Sequence, residues 1–403
     1  MPISLLLSLR RVPGRRTEQR EETAMMDAGA PAIVVGGGIG GLSAAIALRR
    51  AGVQADVYER APELREVGAG ISLWPNATRQ LRRWGLLDEI LRRGFRFVDG
   101  EMRTPDGAVL AGLPLPAADA PAVLIHRADL HAVLADALPP WAIRTGAGFA
   151  RLTESAEGVE ADFGEAGTVE GAFVVGADGL WSAVRRQVLG DGDPVYRGYP
   201  VWRGVAPAGA VEWPTLTETL GRGLRFGIVP IGGGRVAWWA TANEAAGADD
   251  GAEGSKTKLL RLFGDWHRPI PRLIDATPDD EILKNGTYDR PPVRRWGRGR
   301  VTLLGDAAHP TTPNLGQGGC MAIEDAAVLA RCLSETDDVP AALRMFERRR
   351  FRRTAWITRE SLRYGQMAQW QHAAAVRMRD ILLRATPAAV ARATIRRMIA
   401  FDA

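Results

Sequence analysis

The chain has 403 residues, of which 46% are hydrophobic and 25% are charged, and its formal net charge is +5. This length and composition are typical of a globular protein with one large or two medium domains. No apolar run approaches the ~20 residues that a membrane-spanning helix needs. The basic excess is modest, and the arginine run over 344–353 is typical of the solvated face of a helix, so we predict neither a membrane span nor a nucleic-acid partner.

The N-terminal residues 1–30 are predicted to be a disordered tail or the product of a mis-called start. The apolar residues of this segment precede its arginines, which is the reverse of the order in a secretory signal, and Met25 and Met26 lie just before the first strand. The two cysteines, Cys320 and Cys332, have no metal-binding spacing and fit a reducing compartment. We therefore predict a cytoplasmic protein without a bound metal.

The first predicted elements form a βαβ unit. An apolar run over 32–35 predicts a buried parallel strand, an Ala/Leu-rich segment over 42–51 predicts a helix, and 54–59 predicts a second strand. The glycine-rich loop between the first strand and the helix therefore lies where strand meets helix in a nucleotide-binding fold.

That loop contains the dinucleotide fingerprint Gly36-x-Gly38-x-x-Gly41. The first glycine permits a tight turn, the second lets the backbone approach a pyrophosphate, and the third lets the helix pack on the strand. The positive end of the helix dipole faces the phosphates. Glu59, at the end of the second strand, is placed to bind ribose hydroxyls.

Farther along the chain, the pattern predicts that a sheet interrupts the α/β domain. Between 196 and 288, short β-type runs alternate with Gly/Pro turns, which is typical of an antiparallel sheet. Buried strands are expected at 172–175 and 301–304. The predicted later helices lie at about 76–93, 128–137, 319–333 and 341–399, the last with a break near Thr386-Pro387.

A second glycine-rich region follows the strand at 301–304. Asp306 lies at the strand end, where an acid can bind a ribityl or ribose hydroxyl, or can instead cap a helix. The amides of residues 316–319 can face an electron-rich ring edge, with a helix dipole behind them. Together with the first loop, this region predicts the two ends of one FAD site.

The chain resembles the single-component FAD-dependent aromatic hydroxylases of the para-hydroxybenzoate hydroxylase fold. The segments 70–76 and 316–325 are most similar to the branch that contains urate hydroxylase, 3-hydroxybenzoate 6-hydroxylase, salicylate hydroxylase and zeaxanthin epoxidase. The segments that carry the family resemblance are Gly36 to Glu59, Val175 to Gly179 with Ser182 and Arg185, Gly305 to Pro310, and Pro313 to Asp325.

The resemblance implies an α/β fold: a Rossmann-type FAD-binding domain with an inserted antiparallel β-sheet substrate domain and C-terminal helices. The implied divisions are the FAD-binding domain at 31–195 (with a small contribution to the substrate domain near 95–120), the substrate domain at 196–288, the second part of the FAD-binding domain at 289–360, and the C-terminal helices at 361–403.

The resemblance also implies the cofactor site. The adenosine half of FAD would contact Gly40, Glu59 and Arg60, and the ribityl chain would contact Asp306. The other implied FAD-binding residues are Gly36, Gly38, Gly41, Ser72, Arg127, Asp178, Pro313, Gly316, Gln317, Gly318 and Gly319. From the residues alone, Arg127 could equally be a surface helix residue, and Asp178 a turn aspartate.

The implied function is a monooxygenase that uses FAD, NAD(P)H and O2 to hydroxylate an aromatic or heteroaromatic small molecule through a flavin C4a-hydroperoxide. No second nucleotide fingerprint is present, which suits an NAD(P)H that docks only transiently. The alternatives are a flavin-dependent reductase or dehydrogenase, and a non-enzymatic flavin-binding protein. A monomer or a homodimer is expected.

The inserted sheet is expected to form the substrate pocket. Aromatic residues there can stack on a flat ring, and arginines can pair with a carboxylate, phenolate or urate-like anion. Arg225 matches the position of the substrate-anion arginine in the urate branch, but Val201 and Ala237 replace polar contacts of that branch, which argues against urate itself. The candidate lining residues are Tyr199, Trp202, Arg203, Arg225, Trp238 and Trp239, and strand alternation would turn half of them outward.

Overall fold

A computed structural model of the protein describes residues 30–64, 68–211 and 216–403. The predicted N-terminal tail lies outside these residues, apart from Ala30. The helices are α1 (Ile39–Arg50), α2 (Pro75–Arg83), α3 (Leu87–Arg93), α4 (Arg127–Asp136), α5 (Ala183–Val188), α6 (Gly254–Phe263), α7 (Ile270–Ala276), α8 (Gly318–Ser334), α9 (Val339–Ala368), α10 (Ala373–Ala385) and α11 (Ala388–Ile399).

Four sheets accompany the helices within the described ranges. Their strands are β1 (Ala32–Val35), β2 (Ala55–Tyr58), β3 (Gly70–Leu73), β4 (Phe95–Phe97), β5 (Glu101–Arg103), β6 (Val109–Gly112), β7 (Ala122–His126), β8 (Ile143–Arg144), β9 (Arg151–Glu154), β10 (Val159–Asp162), β11 (Thr168–Gly171), β12 (Phe173–Gly176), β13 (Val195–Ala206), β14 (Thr217–Leu220), β15 (Leu224–Pro230), β16 (Val236–Ala242), β17 (Leu283–Asp289) and β18 (Val301–Leu303).

A parallel sheet with the strand order β18-β12-β1-β2-β8 forms the first layer. Its central strand, β1, pairs in parallel with β2 on one side and β12 on the other, and all four of its residues are buried. Burial on both faces explains why this strand is continuously apolar. Helix α1 connects β1 to β2, as the sequence predicts.

A seven-stranded sheet with the order β17-β13-β16-β15-β14-β5-β6 forms the second layer. Its pairs are antiparallel except for β14 with β5. Helices α6 and α7 cover its outer face, where Trp202, Phe226, Trp238 and Phe263 share one core cluster. Its inner face packs, through Val229 and Ala237 among others, against the small sheet β3-β7-β4.

The predicted fold class is confirmed, since a Rossmann-like parallel sheet, additional antiparallel sheets and C-terminal helices are all present. The helix predicted over 76–93 is instead two helices, α2 and α3. Gly85 lies between them with a φ of +74°, a conformation that ends a helix and that glycine adopts without strain. The C-terminal helical region has a further break, between α9 and α10, where Gln369 bonds to Thr241 and Asn243.

None of the helices in residues 30–64, 68–211 and 216–403 is both long and apolar enough to cross a bilayer.

Candidate functional site

The carboxyl edge of the parallel sheet brings together loops that are far apart in the sequence. Strands β1, β12 and β18 all end there, so the loops that follow them are neighbours. A Cβ atom on Gly36 would lie 2.5 Å from the carbonyl oxygen of Ala177, and one on Gly40 would lie 3.1 Å from Leu304. A Cβ on Gly41 would overlap the carbonyl oxygen of Gly36. The fingerprint glycines therefore permit close backbone packing, and the loops define one cleft.

Glu59 borders this cleft at the end of β2. Its carboxylate accepts hydrogen bonds from the backbone N–H groups of Gly37, at 2.6 Å, and Ala61, at 2.9 Å. These bonds tie the acid to the glycine-rich loop and orient it. Arg60, the next residue, is exposed.

Asp178 lies at this edge, next to Gly36, and its carboxylate bonds to the first residues of α5. Its carboxylate accepts hydrogen bonds from the Ser182 hydroxyl, at 2.5 Å, and from the N–H groups of Ala183 and Val184, at 2.7 and 3.1 Å. Burial raises the pKa of Asp178 above its ordinary value. Of the two interpretations that the sequence left open, the capping and turn role accounts for every contact that this carboxylate makes with protein.

Arg185, in the helix that Asp178 caps, holds the second glycine-rich region in place. Its guanidinium donates hydrogen bonds to the carbonyl oxygens of Ala307 and Ala308, at 2.9 and 2.8 Å, and pairs with Asp191. Arg185 therefore supports the loop that contains Asp306, although the bonded residues lie 122 and 123 positions apart in the sequence.

Asp306 points into the cleft. The residue is exposed, and within the described residues its carboxylate has no hydrogen-bond or ion-pair partner. A Cβ on Gly318 would lie 3.8 Å from this carboxylate, so the acid borders the N terminus of α8. Although the side chain reaches solvent, the protein atoms crowded around its carboxyl partly desolvate it and raise the pKa of Asp306, against the influence of His309 and Arg127.

The wall of the cleft also contains unpaired polar atoms. Trp74 Nε1, Thr311 Oγ1 and Gln317 Nε2 are buried and have no hydrogen-bond partner among residues 30–64, 68–211 and 216–403. A Cβ on Gly316 would lie 3.2 Å from Trp74 Nε1 and 3.4 Å from the Ser72 hydroxyl, so these groups surround the glycine-rich loop. Buried polar atoms in folded proteins are almost always paired. Together with the free Asp306 carboxylate, they fit a polar ligand such as FAD.

A buried ionic network supports the loop that contains Asp306. Asp325 on α8 accepts hydrogen bonds from the N–H of Gly305 at 3.0 Å, from His309 Nε2 at 2.6 Å and from Arg350 Nε at 2.6 Å. Burial alone would raise the pKa of Asp325, but His309 and Arg350 lower it to about 2. His309 thus acts as a hydrogen-bonding partner of Asp325.

Glu324, the neighbour of Asp325, extends this network toward residues 313–319, which we call the flavin loop. Its carboxylate pairs with Arg350 at 2.7 Å and Arg353 at 2.9 Å, and it accepts a hydrogen bond from Asn76 at 2.6 Å. The same Asn76 amide donates to Gln317 Oε1 at 3.0 Å. The two acids and Arg350 are fully buried, so the loop rests on a fixed polar scaffold.

Cys320 lies on the first turn of α8 and serves as a packing residue. Its thiol is fully buried, and burial raises its pKa to about 12. Its sulfur is 3.4 Å from the backbone nitrogen of Trp74. A thiol with so high a pKa is not a nucleophile at neutral pH.

Only some of the residues predicted to line the substrate pocket lie on the inner face of the seven-stranded sheet. In the strand pairs, Arg203 lies opposite Trp239 and Val201 lies opposite Thr241, which in turn faces Arg225. These residues share the face with Tyr199, because alternate residues of a strand point the same way.

The structure does not bring Trp202 and Trp238 to this face. Both are fully buried in the core beneath α6 and α7. The Trp202 indole donates to Asp250 at 2.6 Å, and the Trp238 indole donates to the Thr277 hydroxyl at 2.8 Å. Their inclusion in the pocket lining is corrected: the alternation of β13 and β16 turns both indoles away from the cleft.

Arg225 is at the centre of a buried cluster. Its guanidinium binds Glu218 through Nε at 2.8 Å and Nη2 at 2.5 Å, and it donates to Asn314 Oδ1 at 2.7 Å. The Tyr364 hydroxyl donates to the same Glu218 carboxylate at 2.6 Å, and Trp239 lies 4.9 Å from the guanidinium. The charge of Arg225 is therefore already balanced by protein.

Arg203 differs from Arg225 because no carboxylate within the described residues pairs with it. Its guanidinium donates to the Asn285 side chain at 3.2 Å. Burial, together with the positive charge of Arg127, lowers the pKa of Arg203 to about 10. Arg127 itself is exposed at the start of α4 and also acts on Asp306. Arg203 therefore contributes a positive charge to this side of the cleft.

Three residues of the site were not predicted: Glu218, Asn314 and Tyr364. Asn314 accepts from Arg225 and also donates to the Tyr199 hydroxyl at 3.0 Å, which links the sheet to the flavin loop. Asn314 lies within Pro313 to Asp325, one of the segments that carry the family resemblance, so its place in the sequence could have indicated a role in the site. Glu218 and Tyr364 lie 146 residues apart, and no local pattern marks them.

Comparison with known proteins agrees with this geometry. The family described as FAD binding domain matches residues 29–193 and 281–360. The chain is 42% identical over 364 residues to aurachin C monooxygenase/isomerase of Stigmatella aurantiaca, covering 89% of this chain and 95% of the relative. It is 38% identical to 3-amino-4-hydroxybenzoate 2-monooxygenase of Streptomyces cremeus, covering 90% and 93%.

Among solved structures, HpxO of Klebsiella pneumoniae complexed with FAD and uric acid superimposes with a TM-score of 0.86 at 30% identity, covering 92% of this chain and 97% of that one. FAD-dependent urate hydroxylase, 3-hydroxybenzoate 6-hydroxylase and zeaxanthin epoxidase are also relatives, which confirms the predicted branch. The chain belongs to the FAD-binding-domain family and is an FAD-dependent monooxygenase.

Proposed function

We propose that this monooxygenase uses NAD(P)H and O2 to hydroxylate an aromatic or heteroaromatic small molecule held between the flavin loop and the inner face of the seven-stranded sheet. The observation that carries the proposal is the cluster around Arg225. It places Trp239, Tyr199 and Tyr364 beside the loop residue Asn314, so flat aromatic surfaces border the flavin site. Relatives named for amino-hydroxybenzoate, urate and hydroxynicotinate support a ring substrate.

FAD fits the cleft through groups already described. Its adenosine half would meet Gly40, Glu59 and Arg60, its ribityl chain Asp306, and its ring the amides of 316–319. When bound, FAD would supply electron transfer from NAD(P)H and the activation of O2, for which a C4a-hydroperoxide is expected. The protein would orient the ring, exclude water and present the substrate. The remaining proposed cofactor contacts are Gly36, Gly38, Gly41, Ser72, Arg127, Asp178 and Pro313.

The function is tested by NAD(P)H oxidation with and without a panel of phenols, hydroxybenzoates, salicylate and urate, followed by product mass spectrometry under 18O2. We expect one ring compound to accelerate flavin reduction and to gain one 18O atom. A product that gains or loses only hydrogen would show a reductase or dehydrogenase. Failure of every electron donor to reduce the bound flavin would indicate a flavin-binding protein without turnover.

The charge balance at Arg225 bears on the substrate. Because Glu218 neutralises Arg225, we propose that the part of the substrate beside Arg225 is uncharged, and that an anionic group of the substrate or of a nucleotide meets Arg203 instead. This departs from the expectation that Arg225 binds a substrate anion.

Substitution Glu218→Gln tests this assignment, since it keeps the shape of the side chain and frees the positive charge of Arg225. We expect the dissociation constant of 3-hydroxybenzoate to fall about tenfold or more, and that of the neutral 3-hydroxybenzyl alcohol to change little. Binding is measured by the perturbation of the flavin spectrum. Glu360→Gln, on the exposed face of α9, is the matched control. Equal affinity of the carboxylate for both variants would contradict the proposal.

A further inference from the structure

The C-terminal helices α10 and α11 (residues 373–399) carry exposed apolar side chains, which on α10 form a stripe. Met378, Ile381 and Leu382 on α10 are 54%, 51% and 54% exposed, and Val390 on α11 is 54% exposed. On α10 these residues follow the three- and four-residue spacing of a single helix face. Large apolar side chains that are exposed together mark an interaction surface more often than isolated ones do.

The stripe cannot turn inward, because the opposite face of α10 is fixed to the body of the protein. Arg379 is fully buried there and donates hydrogen bonds to the carbonyl oxygens of Gly221 at 2.9 Å, Ala368 at 3.2 Å and Leu220 at 3.3 Å. Leu383, one turn further along, packs against the cluster of Leu220 and Ala368. The helix thus has two apolar faces, of which only one is used in the fold.

Helices α10 and α11 are also strongly basic. Asp380 is the only acid in residues 373–399, and it pairs with Arg379. A groove of about 400 Å³ on α10 is lined by Arg222, Arg377 and Arg384 beside Val376 and Ile381. The exposed arginines of these two helices are Arg377, Arg384, Arg392, Arg396 and Arg397.

We propose that α10 and α11 form a docking surface for an anionic lipid bilayer. The exposed apolar side chains would enter the boundary between headgroups and acyl chains, and the arginines would bind lipid phosphates. Charge complementarity favours an anionic bilayer over a second copy of the chain. A twofold contact between two copies would bring the arginines of α10 and α11 in one copy against the same arginines in the other. The docking is peripheral, and it does not depend on the proposed reaction.

Vesicle co-sedimentation of the flavin-loaded protein tests the proposal. We expect binding to vesicles of phosphatidylglycerol and phosphatidylcholine in equal parts, and at least about tenfold weaker binding to pure phosphatidylcholine. Ile381→Ser/Leu382→Ser and Arg377→Gln/Arg384→Gln should each weaken binding to the anionic vesicles about tenfold or more, with unchanged flavin content and melting temperature.

Two control pairs match these changes elsewhere on the surface. Val98→Ser/Val109→Ser alters exposed apolar residues, and Arg348→Gln/Arg352→Gln removes exposed arginines that line a different groove. Both should bind like the unmodified protein. The proposal is overturned by absence of binding to anionic vesicles, by equal losses in the control pairs, or by a dimer in light scattering that Ile381→Ser/Leu382→Ser converts to monomer. Since the readout is binding, its failure is distinct from a failure of the hydroxylase proposal.

Discussion

Replacement of Asp306 by alanine is expected to give a protein that folds normally but purifies with little FAD. The Asp306 carboxylate is exposed to the cleft and is unpaired within the described residues, so its removal disturbs no internal bond. A hydrogen bond to a charged group contributes about 1.5–3 kcal/mol, which corresponds to roughly 10- to 150-fold in FAD affinity. The ratio of flavin to protein absorbance after purification, and titration of the apoprotein with FAD, measure the effect.

Asp88→Ala is the matched control for this experiment, because Asp88 is an exposed acid on α3, away from the carboxyl edge of the parallel sheet. We expect it to retain full flavin. Full FAD occupancy of Asp306→Ala would exclude the ribityl assignment. A lowered melting temperature of the Asp306→Ala apoprotein would show instead that the acid stabilises the fold.

Replacement of Arg350 by methionine is expected to lower the free energy of unfolding by about 3–5 kcal/mol. Arg350 pairs with both Glu324 and Asp325 where all three side chains are inaccessible to water. Methionine fills much of the volume but removes one positive partner from each of two buried carboxylates. Arg353 remains beside Glu324 and His309 beside Asp325, so the cost of removing the acids from water is only partly offset. Urea denaturation of the apoprotein and of the flavin-loaded protein measures the change.

Arg348→Met provides the comparison, since Arg348 is exposed on the same helix only two residues away. Its substitution should change stability by no more than about 0.5 kcal/mol. The Arg350 variant should also bind FAD more weakly, because Asp325 and Glu324 hold Gly305 and, through Asn76, Gln317. Equal stabilities of the two variants would contradict a supporting role for the buried network.

Features with a local physical cause were predictable from sequence. The apolar run at 32–35 can only be buried on both faces, and the spacing of Gly36, Gly38 and Gly41 reflects the close approach that the structure shows for the first and third of them. The strand-end position of Asp306 and the glycines at 316–319 predicted the second loop, and the family resemblance assigned Asp306 to the ribityl chain. By contrast, the split between α2 and α3 was missed because a lone glycine inside an amphipathic pattern does not reveal its φ angle.

The substrate pocket was predicted less well, because strand alternation separates two faces without saying which one lines the cleft. Trp202 and Trp238 satisfy the same pattern as Trp239, but they lie in the core under α6 and α7. Likewise, Arg225 was recognisable as an arginine facing a ring site, whereas its partner Glu218 was not. Pairing between separate strands and helices sets the charge that remains available in the pocket.

By itself, the sequence determined the FAD-binding fold, since this follows from strand burial and from the backbone geometry of glycine, and it predicted the residues that border the cofactor. Tertiary structure alone decided the charge of the pocket and the support of the flavin loop. Glu218 with Arg225, and Asp325 with Arg350, are pairs whose members come from different elements. Their effect depends on distance and burial, and a linear sequence specifies neither until the chain has folded.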